Sequence, residues 1–250
     1  MLVAMTMPPT IRLGDAEVAR IGLRTNRLTR TPEHVAFVRE AVAAGVSHVD
    51  TAHTYTGGES EEVIGAALSA ADRPVVVATK GGWGSGNGRP EVLRAQIDES
   101  LRRLRTESID LYYLHRVDPE TPLEESLAAI EEYRDAGKIQ HVGLSEVRID
   151  QIEQARRIVP ITAVQNHYNL CERRHEDVVD YCAAEGIVFV PFFPLGCDGG
   201  RALTEITRRH GATPEQVALA WLLRRSPLML PIPDTLSLEL SDAEFDALRW

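Results

Sequence analysis

Cysteine is scarce: Cys171, Cys182 and Cys197 are the only three in 250 residues. An odd count with no paired metal-ligand spacing argues against a disulfide framework or a zinc site, and favours reduced thiols in a cytosol. Long apolar runs are missing as well, and without about 18 consecutive apolar residues no membrane span is expected. Met1 to Thr10 is apolar but short, has no basic beginning and contains Pro8-Pro9, so it is not read as a secretory signal. Excess positive charge is absent too. A formal net charge of −10 argues against nucleic acid as a partner, because phosphate-backbone binders present a basic face.

What is present fits one large domain spanning 1–250, since 44% hydrophobic and 26% charged residues are ordinary values for a globular chain. Strand-like and helix-like stretches alternate along it. A short hairpin at 11–18, turning at Gly14-Asp15, is expected to cap one end of the fold. Strands are then expected at 19–24, 47–51, 74–79, 109–114, 139–144, 162–165, 187–191 and 228–232. Helices are expected near 32–44, 59–70, 90–104, 122–135, 149–158, 175–185, 201–210, 214–224 and 241–250. Thr31 can cap the first helix and Gly45 can end it; Gly137 and Gly186 close two others. Eight alternations with short connections predict a closed parallel (β/α)8 TIM barrel with an N-terminal β-hairpin. An open doubly wound sheet is the alternative, but Gly22-Leu23-Arg24-Thr25-Asn26-Arg27 is not the G-x-G-x-x-G turn such a sheet carries after its first strand. Gly81 to Gly88 is expected to be a flexible loop over the barrel mouth.

Three successive strands end in residues that carry chemistry. Ser47 to Thr51 contains Asp50 near its end, Pro74 to Lys80 ends in lysine, and Ile109 to His115 ends in histidine; Tyr55 lies in the loop after the first of these. Strand ends and the loops after them are where such architectures place catalysis. A phenol is a poor acid in water, so it needs a cation beside it to be useful at neutral pH. Each residue alone has a bland reading, as packing or as a structural ion pair. Together, in order, they form a constellation.

Asp50-Thr51-Ala52 with Tyr55, Lys80 at the end of the next strand and Leu114-His115 at the end of the one after resemble the aldo-keto reductase family, over about Leu13 to Pro233. The resemblance implies that Tyr55 donates a proton to a substrate carbonyl while hydride arrives from NADPH. Lys80, paired with Asp50, readies the phenol, and His115 orients and polarises the carbonyl. It also implies that Ser145, Gln165, Phe192 and Leu195 contact the cofactor. His53, Trp83, Arg116 and Tyr168 are candidate walls of the pocket for a small-molecule carbonyl substrate. No metal is expected.

Three departures from the family pattern concern the cofactor. Glu146 follows Ser145 where the family has asparagine. Asp234 stands where a glycine is expected, and the segment that grips the adenosine phosphate is missing after Pro231-Ile232-Pro233. A carboxylate beside a phosphate repels it. The alternative expectation is therefore weak or absent nicotinamide binding, with a redox-neutral lyase, isomerase or cyclase using the same four residues. A non-catalytic binding barrel is the third reading.

Overall fold

Alternation along the apolar runs decides which way each strand faces. Leu111 and Tyr113 belong to one apolar cluster with Ala78, Ala163, Val188, Val190, Leu230 and Ile232, while the intervening Tyr112 and Leu114 join a second cluster with Leu93, Ile97, Leu127 and Ile130. The first cluster fills a barrel interior and the second lies between the barrel wall and its helices, as strands covered on both faces require. The structure, a computed structural model, describes residues 10–69, 74–196, 203–204, 206–208 and 211–233.

Within those residues the order is β1 (Thr10–Leu13), β2 (Ala16–Ala19), β3 (Leu23–Arg24), α1 (Pro32–Ala43), β4 (His48–Asp50), a 3-10 turn (Tyr55–Gly58), α2 (Glu59–Leu68), β5 (Val76–Gly81) and α3 (Pro90–Leu104). There follow β6 (Ile109–Leu114), α4 (Leu123–Asp135), β7 (Ile139–Ser145), α5 (Ile149–Arg156), β8 (Ile161–Gln165), α6 (Glu176–Glu185), β9 (Val188–Phe189) and α7 (Pro214–Arg225). Strands β3 to β9 form one parallel sheet in sequence order, and β1 pairs antiparallel with β2. Ile11, Leu13 and Val18 of that hairpin pack into the interior cluster, so it plugs one end of the barrel. No helix among the described residues is long and apolar enough to cross a membrane.

The expected eighth strand at 228–232 takes a one-sided form. Phe189 exchanges backbone bonds with it on one flank (Phe189 N–H to Leu228 O at 2.8 Å, Leu230 N–H to Phe189 O at 2.9 Å). On the other, Gly22 and Arg24 donate to the carbonyls of Pro231 and Pro233 at 3.0 and 3.3 Å. Pro231 and Pro233 have no N–H to return, so on this flank the segment closes the barrel by accepting bonds without completing a ladder. The buried guanidinium of Arg20 fastens it further, donating to the carbonyls of Leu223, Ser226 and Met229.

Two expectations need correction. The glycine-rich 81–88 loop is tied down: Gly82 N–H donates to Gln96, Gly86 and Gly88 N–H donate to the Asp118 carboxylate, and the Ser126 hydroxyl donates to Gly88 O. Cys171, expected as an ordinary thiol, is disulfide-bonded, whereas Cys182 is free and buried; an odd count does not forbid one pair. Cys197, Asp234, the 241–250 helix and part of the 201–210 helix lie outside the described residues.

Candidate active site

The loop after β4 is built to hold one phenol. Tyr55 opens a 3-10 turn whose next residues, Thr56 and Gly57, have φ of 48° and 66°, and Gly58 follows at 98°. Glycine takes such angles without steric cost. Here it is also needed for space, because a Cβ on Gly58 would lie 2.2 Å from the guanidinium carbon of Arg103. Behind the turn, Ser60 lies within 2.9 Å of the Thr25 hydroxyl and 2.8 Å of the Thr51 hydroxyl. The fully buried Glu61 accepts from Thr79 at 2.6 Å and pairs with Arg103 at 3.2 Å. Local geometry and a buried polar frame thus fix where Tyr55 stands.

Strand parity brings the other groups to it. Asp50, Lys80, His115 and Gln165 sit at the carboxyl ends of β4, β5, β6 and β8, an even number of residues from His48, Ala78, Tyr113 and Ala163 respectively. Asp50 and Lys80 are wholly buried; the Lys80 ammonium donates to Asp50 Oδ1 at 2.5 Å and to Thr51 O at 2.6 Å, and Gln165 donates to Asp50 Oδ2 at 2.8 Å. A buried ion pair this well bonded resists exchange with water, and losing one partner leaves a stranded charge. Lys80 Nζ lies 5.0 Å from the centre of the Tyr55 ring, and the Tyr55 and His115 rings meet edge to face at 6.2 Å. The four side chains share one end of the barrel.

A second phenol, Tyr113, stands 5.8 Å from Lys80 Nζ. Its side chain is fully buried, and burial, with Asp50 nearby, pushes its pKa well above the usual phenol value. Tyr55, half-buried at the mouth, is the phenol a substrate can reach. The His115 imidazole is only 5% exposed. Burial, and then the positive charges of Lys80, Arg116 and Arg24, push its pKa down to about 2, so at neutral pH it is an uncharged ring. Its Nδ1 has no hydrogen-bond partner among the described residues.

Of the other expected residues, Trp83 packs on His115 at 4.6 Å between ring centres, and the Arg116 guanidinium stacks on Trp83 at 4.5 Å. Ser145 is buried and accepts from Arg116 at 2.9 Å. Phe192 is half-buried, stacked on His167 at 5.2 Å, with Arg24 and Arg116 at 5.9 and 5.8 Å. Leu195 is half-buried in the turn closed by Gly196 N–H to Phe193 O. Two candidates point elsewhere. Tyr168 is fully buried against Phe189 and Trp221 with its hydroxyl on Glu176 of α6, and His53 turns to Arg103 and a hollow along α3 lined by Glu91, Gln96 and Glu99.

Glu146 is also engaged elsewhere than the barrel mouth. Its carboxylate accepts from His167 N–H at 2.5 Å and from Arg174 at 2.8 Å. Burial alone would raise its pKa, but the His167 N–H bond and the neighbouring His175 ring and Arg174 guanidinium outweigh it and hold the group at about 2.

Two residues carry weight that sequence reasoning missed. Asp118 anchors the loop that bears Trp83, and its spacing from Gly86 and Gly88 gave no signal. Arg24 ends the first expected strand, 19–24, but no role was given to its side chain; its guanidinium lies 5.9 Å from the Tyr55 ring and 4.6 Å from that of Phe193. Among the described residues, no group of three or more metal-ligating side chains is gathered.

A sequence model of the Aldo/keto reductase family matches residues 19–249. The chain belongs to the aldo/keto reductase family. An uncharacterised oxidoreductase of Schizosaccharomyces pombe is 35% identical over 247 residues, covering 90% of this chain and 80% of the relative. Pyridoxine 4-dehydrogenase of Escherichia coli is 35% identical over 253 residues, covering 91% and 88%. Among solved structures, a thermostable aldo-keto reductase in complex with the inhibitor epalrestat superposes with a TM-score of 0.82 at 30% identity, covering 96% of this chain and 98% of that one. An aldo/keto reductase from Klebsiella pneumoniae in complex with NADP and acetate gives 0.79 at 28%, covering 96% and 94%. The barrel is therefore the family's, and this aldo/keto reductase family member is an oxidoreductase enzyme.

The residues at the mouth fit a nicotinamide. The Phe192 ring already has a planar cation, the Arg24 guanidinium, over it at 5.9 Å, and an oxidised nicotinamide is also a planar cation. Arg24 has no carboxylate partner among the described residues, and its Nε is buried without a hydrogen bond, so its guanidinium can give up the Phe192 face to a nicotinamide and keep to the Tyr55 side of the mouth without breaking an ion pair. Ser145 and Gln165 stand beside each other at the ends of β7 and β8, where they can meet a carboxamide.

Proposed function

We propose that this enzyme reduces an aldehyde or ketone with NADPH, Tyr55 acting as general acid. The observation that carries the reading is the approach of Lys80, held by Asp50, to within 5.0 Å of the Tyr55 ring centre, with an uncharged His115 ring edge to face with the phenol. NADPH, when bound, supplies hydride to the carbonyl carbon. Tyr55 then gives its proton to the carbonyl oxygen as that oxygen gains charge, and the product is an alcohol. Lys80 stabilises the phenolate left behind, its own charge anchored by Asp50 so that it stays in place through turnover. His115, uncharged, holds the carbonyl oxygen by hydrogen bonding without competing as an acid.

Proton donation by a placed side chain contributes about 10²–10⁴-fold in rate. Support for the cofactor comes from the Klebsiella pneumoniae relatives solved with NADP and with NADPH, and from the fit of Phe192, Ser145 and Gln165. Glu146, one of the departures that motivates a redox-neutral reading, bonds to His167 and Arg174. No observation among the described residues favours that reading over reduction.

The test is NADPH oxidation followed at 340 nm with a panel of aldehydes, wild type against Tyr55→Phe. Turnover lost by about 10²-fold or more in the variant supports the reading. Absence of NADPH binding and turnover at millimolar cofactor overturns it.

A further inference from the structure

The mouth of this barrel carries more positive charge than proton donation to a neutral carbonyl needs. Three cations, Lys80, Arg116 and Arg24, act on His115. Asp50 answers Lys80 directly, and Glu146, the carboxylate whose charge acts on Arg116, is bonded to Arg174. Neither Arg24 nor Arg116 makes an ion pair among the described residues. This local excess stands in a chain whose net charge is −10.

Arg116 is held as a receptor for an anion is held. Its guanidinium is stacked on Trp83 at 4.5 Å, and one nitrogen, NH1, donates to Ser145 Oγ at 2.9 Å and to His115 O at 2.5 Å. Nε and NH2 make no hydrogen bond among the described residues, which leaves one two-nitrogen edge for a two-oxygen anion. Trp83 is in turn placed by the loop that Asp118 ties down, so the stack does not depend on a mobile tip. Arg24 faces the same space from β3, 5.9 Å from the Tyr55 ring. The neighbours are aromatic: Trp83, Phe192 and Phe193.

We infer that the substrate of this enzyme is a carbonyl compound that also bears a carboxylate, bound bidentately by Arg116 with Arg24 as a second arm. This rests on the reductase reading above and names its substrate class. Because Arg116 directly follows His115 and shares Trp83 with it, the carboxylate lies a few bonds from the reacting carbonyl, as in a short oxo acid or an aromatic aldehyde acid. A carboxylate fits the single open fork; a neutral aldehyde leaves both guanidiniums unpaired and dehydrated, which weakens its binding.

Two measurements test this. In the first, the cofactor-free full-length protein is titrated with benzoate and with benzamide, followed by tryptophan fluorescence. Benzoate is expected to bind at least about tenfold more tightly, the factor for one charge-assisted pair, and the preference is expected to shrink to about twofold in Arg116→Gln and to fall in Arg24→Gln. Arg116→Lys keeps the charge but loses the fork, and is expected to recover only part of it. Equal binding of the two probes, or a preference untouched in both Gln variants, overturns the inference. In the second, kcat/KM for 4-carboxybenzaldehyde is divided by that for benzaldehyde, with NADPH. A ratio above about ten that collapses in Arg116→Gln through KM supports the inference; a ratio near one with both aldehydes reduced overturns it and leaves the reductase reading standing. If neither aldehyde is reduced, the benzoate preference alone decides the carboxylate site, and the reductase reading stands or falls on the aldehyde panel and NADPH binding.

Discussion

Lowering the pH from 7.5 to 5.0 perturbs His115 in a way the structure makes quantitative. In the unfolded chain its imidazole titrates near the ordinary value of 6.5, whereas in the folded protein burial and three neighbouring cations hold it at about 2. Between those values the unfolded state binds a proton that the folded state refuses, so stability falls as pH falls. Above about 6.5 both forms are neutral and the group contributes no pH dependence. At pH 5.0 the difference is about 1.5 pH units, or about 2 kcal/mol. His48, also fully buried, has its pKa lowered chiefly by burial and pulls in the same direction, so the bare slope of the wild type does not isolate His115. The comparison with His115→Gln does, because groups that titrate alike in both proteins cancel. Urea unfolding followed by circular dichroism at several pH values is expected to show the wild type losing about 2 kcal/mol more than the variant between pH 7.5 and 5.0. The His115 ring resonances are expected not to titrate down to pH 4. Parallel stability curves, or a ring that protonates near pH 6, would refute the reasoning. Burial and the cations would then not be holding the imidazole neutral, and its role as an uncharged hydrogen-bonding group would fall with them.

Asp118→Ala is expected to cost about 2–4 kcal/mol, because it removes the acceptor for Gly86, Gly88 and Glu120 N–H and for the Thr121 hydroxyl; chemical denaturation measures the loss, and KM is expected to rise as Trp83 loosens. Burial opposes ionisation of Asp118, but those four bonds hold its pKa at about 2 against an ordinary 3.8, so its contribution is full at neutral pH and disappears as pH falls from about 4 through 2. Glu146→Asn, which restores the family's residue, is expected to lower stability by about 1–3 kcal/mol without tightening NADPH, since its shorter amide has one oxygen and no charge where His167 N–H and Arg174 each had a carboxylate oxygen; fluorescence titration of NADPH beside a melting curve checks both halves. Gly65→Ala is expected to destabilise by about 1–3 kcal/mol despite alanine's better helix propensity, because its Cβ would meet the Arg103 carbonyl oxygen at 2.4 Å; a gain in Tm would show that α2 and α3 are not packed backbone to backbone.

The barrel was legible because its signals are local. Apolar strands buried on both faces read as continuous runs, and Thr31 caps α1 and Gly186 ends α6 where they were expected to. The eighth strand was found by composition, but its one-sided pairing was not, although Pro231 and Pro233 announce that two amide donors are missing. The 81–88 loop was misread for a related reason. Five glycines in eight residues describe a free chain, and what binds this one is a carboxylate some thirty residues later, invisible to any local window.

The site divides along the same line. Asp50, Lys80 and His115 were found because each ends a strand, and strands of a closed parallel barrel that end together bring their last inward side chains together; position in the chain was enough. Arg24 ends β3 too, and its strand was expected, but the meaning of its side chain depends on closure of the barrel around it. Only when Arg24 N–H meets Pro233 O at 3.3 Å across the seam does β3 become a wall of the same mouth as β6 and β7. The guanidinium at its end then faces Phe192 and Tyr55. One cation, Lys80, is neutralised by the acid beside it; two are not. An enzyme that places unanswered guanidiniums at its catalytic phenol carries their dehydration cost in the free state, and a substrate that brings the missing negative charge relieves that cost on binding.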